Sequence, residues 1–207
     1  MKKEKLLIFD FDGTIVDSKS LYYTAIESEL KSMGLTKEQA DKAIDKGMSL
    51  TKTFKNLGFF SIVTRSLKRK VMKQILKHVN EVHKCKDVNS LSSLNEKKIL
   101  VSNSFNEFII PILKHLKIQD KFSEIYGAYD FKDKADFIKE YVKNNKFNKK
   151  LVYYIGDRKI DAAVAKKAGV NSIIIAGKCS LNSKEEIMQG KPDFIVSELK
   201  EIKEIVN

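Results

Sequence analysis

Leu6-Leu7-Ile8-Phe9-Asp10-Phe11-Asp12-Gly13-Thr14 is the stretch on which the fold turns. An unbroken apolar run ends in two aspartates two positions apart, followed by a glycine and a threonine. Apolar residues without alternation mark a strand buried on both faces, as in a parallel sheet covered by helices. In an extended chain residues i and i+2 point the same way, so Asp10 and Asp12 share an opening at the strand's carboxyl end. Neighbouring carboxylates repel each other and call for a cation, a shared proton or strong hydrogen bonds; a hard, oxygen-loving ion such as Mg²⁺ is the economical solution. Gly13 lets the chain turn sharply, and Thr14 offers a hydroxyl close by.

Working outward, Ile99-Leu100-Val101, Leu151-Val152-Tyr153-Tyr154-Ile155 and Ile173-Ile174-Ile175 repeat the pattern, with Ile125-Tyr126-Gly127-Ala128 and Phe194-Ile195-Val196 as shorter strand candidates. Between them Phe108, Ile109, Ile112, Leu113 and Leu116, and then Phe137, Ile138, Tyr141 and Val142, carry the stripe of helices lying on a sheet. These are repeated αβ units, so the expected class is α/β: a Rossmann-like, three-layer parallel sheet. Residues 18–88 break the rhythm. Tyr22, Ile26, Leu30 and Met33, then Val71, Met72, Ile75, Leu76, Val79 and Val82, give helical stripes with no convincing strand between them. The expected organisation is therefore a core of residues 1–17 and 89–207 interrupted by a helical insertion over 18–88. Within it Gly34 is a helix stop, and Thr36 with Gln39 has the capping-box spacing of the next start.

Other strand ends carry polar groups. Ser102 and Asn103 follow the second long strand, at the end where open parallel sheets bind ligands. Gly156-Asp157 closes the third, and Asp161 stands one helical turn later. Lys134 opens the helix bearing Phe137 and Ile138. Each alone has a plain structural reading: a strand-end aspartate caps a helix, Ser-Asn makes a loop, and one lysine among many means little. Their order and placement together make the case.

Composition sets the bounds. The chain has 207 residues, is 43% hydrophobic and carries a formal charge of +12. That composition excludes a disordered chain and suffices for a packed core. The charge raises nucleic acid as a partner, but Arg65, Arg69 and Arg158 are the only arginines and the lysines are spread throughout. Phosphate and base recognition favours the guanidinium fork. Nucleic acid is thus not the expected partner, although 65–70 forms a local basic cluster. Cys85 and Cys179 lie far apart without CxxC or Cys/His spacing, so neither a zinc site nor a disulfide is expected and a reducing, cytoplasmic setting fits. Neither a signal peptide nor a membrane span is expected.

Asp10-Phe11-Asp12-Gly13-Thr14 resembles the DxDGT motif of the haloacid dehalogenase-like superfamily, and Gly156-Asp157-Arg158-Lys159-Ile160-Asp161 resembles its GDxxxD motif; Ser102 and Lys134 stand where its second and third motifs belong. The insertion resembles the helical C1 cap of phosphoglycolate-phosphatase-like members. The resemblance implies a hydrolase of small phosphorylated metabolites. Asp10 would be the nucleophile that forms an aspartyl-phosphate, and Asp12 the general acid and then base. Mg²⁺ would be held by the Asp10 carboxylate, the Asp12 backbone carbonyl and Asp157, with Asp161 in support. Thr14, Ser102, Asn103 and Lys134 would receive the phosphoryl group. Lys134 is not followed by the family's common proline, and Lys132 stands nearby as an alternative. Asp12 favours phosphoryl chemistry over dehalogenation. Gly47-Met48-Ser49-Leu50 resembles the cap loop that reaches into the site, making Lys46, Ser49 and Lys52 candidate specificity residues. That loop has Leu50 and Thr51 where a hexose-phosphate mutase would be expected to place an arginine. The alternatives are a nucleotide or sugar-phosphate phosphatase or mutase of this fold, and a nucleic-acid-binding module using the 65–70 cluster. Oligomeric state is not legible.

Overall fold

A computed structural model describes residues 4–39, 54, 57, 58 and 60–207. The chain begins in β1 (Leu6–Phe9) and passes through β2 (Val16–Asp17), α1 (Lys19–Ser32), α2 (Ser61–Lys77) and β3 (His83–Lys84). There follow β4 (Lys97–Val101), α3 (Asn106–His115), β5 (Glu124–Tyr126), α4 (Lys134–Asn144), β6 (Val152–Gly156) and α5 (Lys159–Ala168). β7 (Asn171–Ile175), α6 (Lys184–Gln189), β8 (Phe194–Val196) and α7 (Ile202–Val206) complete it.

The main sheet has six parallel strands in the order β5-β4-β1-β6-β7-β8. β1 lies between β4 and β6, with Leu6 opposite Lys97 and Val152, and Phe9 opposite Leu100 and Ile155. This register brings the carboxyl ends of the three strands level. It explains the continuous apolar runs as well. Leu6 and Ile8 face one way, packing with Ile99, Val101 and Tyr154 under Ile138 and Val142 of α4 and Ala165 of α5. Leu7 and Phe9 face the other, packing with Leu100 and Ile155 under Phe108, Ile109 and Ile112 of α3 and Ile202 and Val206 of α7. The period of two thus serves two helical layers, as the α/β reading requires.

The second apolar cluster runs on, without a break, into Ala25, Ile26 and Leu30 of α1 and Leu67, Val71, Met72 and Ile75 of α2. Leu30 and Val71 are fully buried. Truncating Leu30 to alanine would remove side-chain burial and leave a cavity, at a cost of about 2–5 kcal/mol. The chain leaves for these helices along β2 and returns along β3, an antiparallel pair with Val16 opposite Lys84 and Asp17 opposite His83. β3 was not expected within the helical insertion; so short a strand carries no period for a sequence to display. After α1, Gly34 turns with φ +86°, Thr36 N–H donates to Gln39 Oε1 at 2.9 Å, and Gln39 N–H returns to Thr36 Oγ1 at 3.2 Å, as the spacing predicts.

The cysteines depart from expectation. Cys85, just after β3, and Cys179, beyond β7, form a disulfide with Cα atoms 5.8 Å apart across a separation of 94 residues. Spacing along the chain is silent about such a pair because the fold, not a local motif, brings it together. Closing so long a loop stabilises by roughly 2–5 kcal/mol.

Candidate active site

Asp10 is the first residue beyond β1, held in the ladder by its N–H to Ile155 O at 2.8 Å. Asp157 is the first beyond β6, and Asp161 lies in the first turn of α5. Ligand oxygens of these three buried carboxylates lie within 4.8 Å of one another. Local sequence makes this approach possible. Gly13 has φ +75°, and a Cβ there would come within 2.3 Å of Asp157 Oδ2. At Gly156 a Cβ would meet Asp161 Cγ at 2.5 Å. Asp161 Oδ2 accepts from the N–H groups of Arg158 at 2.9 Å and Asp157 at 3.2 Å, so it caps α5 while facing the cluster. Asp157 Oδ2 accepts from Leu181 N–H at 2.6 Å, and its Oδ1 faces the Thr14 hydroxyl at 3.4 Å.

Two cations meet these anions. Lys134 Nζ lies 3.1 Å from Asp10 Oδ1 and donates to the Tyr154 hydroxyl at 2.8 Å. Lys134 is 5% exposed, whereas Lys132 is exposed, which decides between the two lysines as neighbours of Asp10. Arg158 places its guanidinium 3.9 Å from both Asp10 Oδ2 and Asp161 Oδ2, with a buried Nε that has no hydrogen-bond partner among the described residues. Burial, then the charge of Asp161, pushes the Asp157 carboxyl well above the usual carboxylate range. Burial, then Asp10, pushes Asp161 up as well. Crowded, desolvated carboxylates of this kind suit a hard divalent cation that would remove both penalties, and an all-oxygen donor set fits Mg²⁺.

Asp12 turns its side chain elsewhere. Oδ1 accepts from Ser18 Oγ at 2.6 Å and Oδ2 from Ser104 Oγ at 2.7 Å, and Ser104 Oγ lies 3.2 Å from the Tyr22 hydroxyl on α1. Burial raises its pKa above the ordinary aspartate value, against the lowering effect of the two serines. The Asp12 carboxylate is thus outside the three-carboxylate cluster and faces hydroxyl donors. Ser102, buried, accepts from Ser104 N–H at 3.0 Å through its Oγ, and Asn103 is exposed beside it. Sequence reasoning did not single out Ser18, Tyr22, Ser104, Tyr154 or Arg158 for a role. Arg158 alone carried a signal, standing inside the GDxxxD stretch.

The Haloacid dehalogenase-like hydrolase family profile matches residues 7–175. The chain belongs to that family. It is 26% identical over 215 residues to a phosphoglycolate phosphatase of Aliivibrio fischeri, covering 95% of this chain and 93% of the relative. A phosphoglycolate phosphatase of Vibrio parahaemolyticus serotype O3:K6 is 25% identical over 223 residues, covering 98% and 96%. Among solved structures, a predicted phosphatase from Clostridium acetobutylicum has TM-score 0.84 at 23% identity with 99% of each chain covered. A haloacid dehalogenase-like family protein from Streptococcus pneumoniae has TM-score 0.81 at 19% identity and covers both chains fully. These solved neighbours share the fold of this haloacid dehalogenase-like hydrolase.

Lys46, Ser49 and Lys52 lie outside the described residues. In the 65–70 cluster, three cations of α2 turn toward loops of the hydrolase core. Arg69 donates to the Tyr129 hydroxyl at 2.6 Å, Arg65 lies over the Tyr129 ring at 5.5 Å, and Lys68 donates to Asn103 O at 2.9 Å. No helix of the described residues is long and apolar enough to cross a membrane.

Proposed function

We propose that this hydrolase is a Mg²⁺-dependent phosphatase of small phosphomonoesters, working through an aspartyl-phosphate on Asp10. The observation that carries the reading is the division between the two aspartates of one motif: Asp10 meets Lys134 at 3.1 Å, whereas Asp12 meets two serine hydroxyls. A carboxylate beside cations suits attack on phosphorus. A carboxylate with a raised pKa among hydroxyls suits proton transfer.

In the first step an Asp10 oxygen bonds to phosphorus as the bond from phosphorus to the leaving oxygen breaks, and the Asp12 carboxyl gives its proton to that leaving oxygen. In the second, Asp12 takes a proton from water as the water oxygen bonds to phosphorus and the acyl phosphate bond breaks, restoring Asp10. Phosphoryl oxygens are received by Ser102, the backbone at Asn103, the Thr14 hydroxyl and Lys134. Asp10, Asp157 and the Asp12 carbonyl would hold Mg²⁺, with Asp161 supporting, and the ion would supply charge neutralisation between nucleophile and phosphoryl group. Residues 18–88 act as the cap over this cleft, and the relatives named phosphoglycolate phosphatase support a small leaving group. A cytoplasmic setting belongs to the same reading, with the Cys85–Cys179 bond weighing against it.

The test is phosphate release from an aryl phosphate with and without Mg²⁺, for the wild type and Asp10→Asn. Release that needs the metal and disappears in the variant is expected. Metal-independent release, or equal release by the variant, would overturn the reading.

A further inference from the structure

The Cys85–Cys179 bond joins the only two cysteines of the chain, and each end stands one step from a loop that carries the site's carboxylates. Cys85 N–H donates to Ile15 O at 3.0 Å, and Ile15 N–H donates to Phe11 O at 2.9 Å inside the turn that follows Asp10. Cys179 lies two residues before Leu181, whose N–H donates to Asp157 Oδ2 at 2.6 Å. Around Cys179, Gly177 N–H donates to Ser180 Oγ at 2.9 Å and Ser180 Oγ donates to Ile175 O at 2.6 Å, closing residues 175–180 into one tight turn. A restraint on Cys179 is therefore felt at Leu181.

The fold does not depend on this bond as a staple. With 207 residues and a continuous apolar core, the chain is well beyond the size at which small domains require disulfides. The segments it joins also meet without it: Val88 and Leu91, just after Cys85, are buried in the same cluster as Leu199 and Ile202, just after β8. Lys86 pairs with Glu198 across the same junction. At 7% and 8% exposure the two cysteines sit at the edge of that cluster, where local opening lets a small thiol reach them. A bond the core can spare, at the rim of an apolar cluster and tied at both ends to site loops, has the placement of a reversible modification.

We propose that Cys85 and Cys179 form a reversible redox site, oxidised and reduced in the folded protein by a small thiol–disulfide couple, and that the bond holds the 175–181 segment so that Leu181 fixes Asp157 for the cation. In oxidation the thiolate of one cysteine attacks the small disulfide, forming a mixed disulfide and releasing one small thiol. The other cysteine's thiolate then attacks the protein sulfur of that mixed bond, closing Cys85–Cys179 and releasing the second small thiol. Two cysteine thiols give up two electrons and two protons, and the small disulfide takes them up to become two thiols. Reduction runs the same steps backward. The consequence for the cation rests on the reading of Asp157 as a Mg²⁺ ligand, whereas the redox exchange stands apart from it.

The experiment compares the oxidised protein, the protein reduced by dithiothreitol under native conditions, and the double variant Cys85→Ser with Cys179→Ser. Alkylation and mass measurement should find two free thiols after reduction and none after reoxidation with glutathione disulfide, with the protein folded throughout. Amide hydrogen exchange over residues 175–183 should quicken by about tenfold in the reduced protein and in the variant, while that of β1 and β6 stays as it is. The Mg²⁺ dissociation constant, read by calorimetric titration, should rise about three- to tenfold in both, the effect of loosening one hydrogen bond to a ligating carboxylate. Should the double variant fold poorly, the reduced wild type carries the same comparison. Sulfurs that exchange only after unfolding, or a reduced protein whose amides exchange faster everywhere at once, would make the bond a plain staple and overturn the redox site. Equal Mg²⁺ affinity in all three forms would overturn its link to the cation. An oxidised protein that does not bind Mg²⁺ would sink the metal reading together with that link, and the thiol and hydrogen-exchange results would still decide the redox site.

Discussion

Asp10 and Asp12 are two residues apart, and the structure gives them opposite company. Around Asp10 stand two further carboxylates, an ammonium at 3.1 Å and a guanidinium at 3.9 Å. Around Asp12 stand the hydroxyls of Ser18, Ser104 and, through Ser104, Tyr22. One region is built from charges that must cancel, the other from neutral dipoles that orient a group able to gain and lose a proton. On the proposed reading, one motif supplies two chemical roles: the strand brings both aspartates to one rim, and their neighbours divide the work.

The sharpest way to break this comparison is to neutralise each aspartate. Asp10→Asn should lower kcat by at least about 10³-fold, since an amide cannot form the acyl phosphate. Asp12→Asn should lower kcat/KM by about 10²–10⁴-fold on an alkyl phosphate, with a much smaller loss of kcat/KM on an activated aryl phosphate whose leaving oxygen needs no proton. Equal losses on both esters would merge the two roles and end the distinction.

The cation side can be tested without turnover. Mg²⁺ at a hundred times its dissociation constant should stabilise the wild type by about 2.7 kcal/mol in thermal or denaturant unfolding. The pKa values of Asp157 and Asp161 are raised in the folded state, so these groups take up protons as pH falls through the raised values, in competition with the ion. The Mg²⁺-induced stabilisation should therefore grow as pH rises through those values and shrink on acidification. By the same sign, these two groups destabilise the metal-free fold most where both are ionised. Asp157→Asn should accordingly raise the stability of the metal-free protein while abolishing the Mg²⁺ shift. A variant that still responds to Mg²⁺ would remove Asp157 from the ion's ligands.

On the hydroxyl side the effect falls on turnover alone. Ser104→Ala should cost about 1.5–3 kcal/mol of transition-state stabilisation through loss of a hydrogen bond to a charged group, seen in kcat rather than in the Mg²⁺ shift. A change in metal response with unaltered kcat would place Ser104 in the wrong region.

Much of the cation side is legible in the sequence because its residues follow directly from strand ends. The runs Leu6-Leu7-Ile8-Phe9 and Val152-Tyr153-Tyr154-Ile155 declare their strands, and parallel pairing brings Asp10 and Asp157 to one rim. The hydroxyl side is not legible in this way. Ser18, Ser104 and Tyr22 are ordinary residues of a cap, a loop and a helix, and they acquire meaning only when α1 and the loop after β4 meet over Asp12. The same holds for the Cys85–Cys179 pair, for β3 and for Lys68, whose partners lie far away in sequence. Lys134 is intermediate: its place at the head of α4 was visible, but burial against Tyr154 is what separates it from Lys132.

The most direct measurement is a pre-steady-state burst in Asp12→Asn with p-nitrophenyl phosphate and Mg²⁺, followed by acid quench and peptide mass mapping. The first step should proceed with this good leaving group while the second stalls for want of a base. The expected result is about one equivalent of nitrophenolate per active site, with a hydroxylamine-labile phosphoryl group on the peptide containing Asp10. Steady release without a burst, or a phosphoryl group on any other residue, would contradict the assignment of Asp10 as nucleophile and Asp12 as its acid and base.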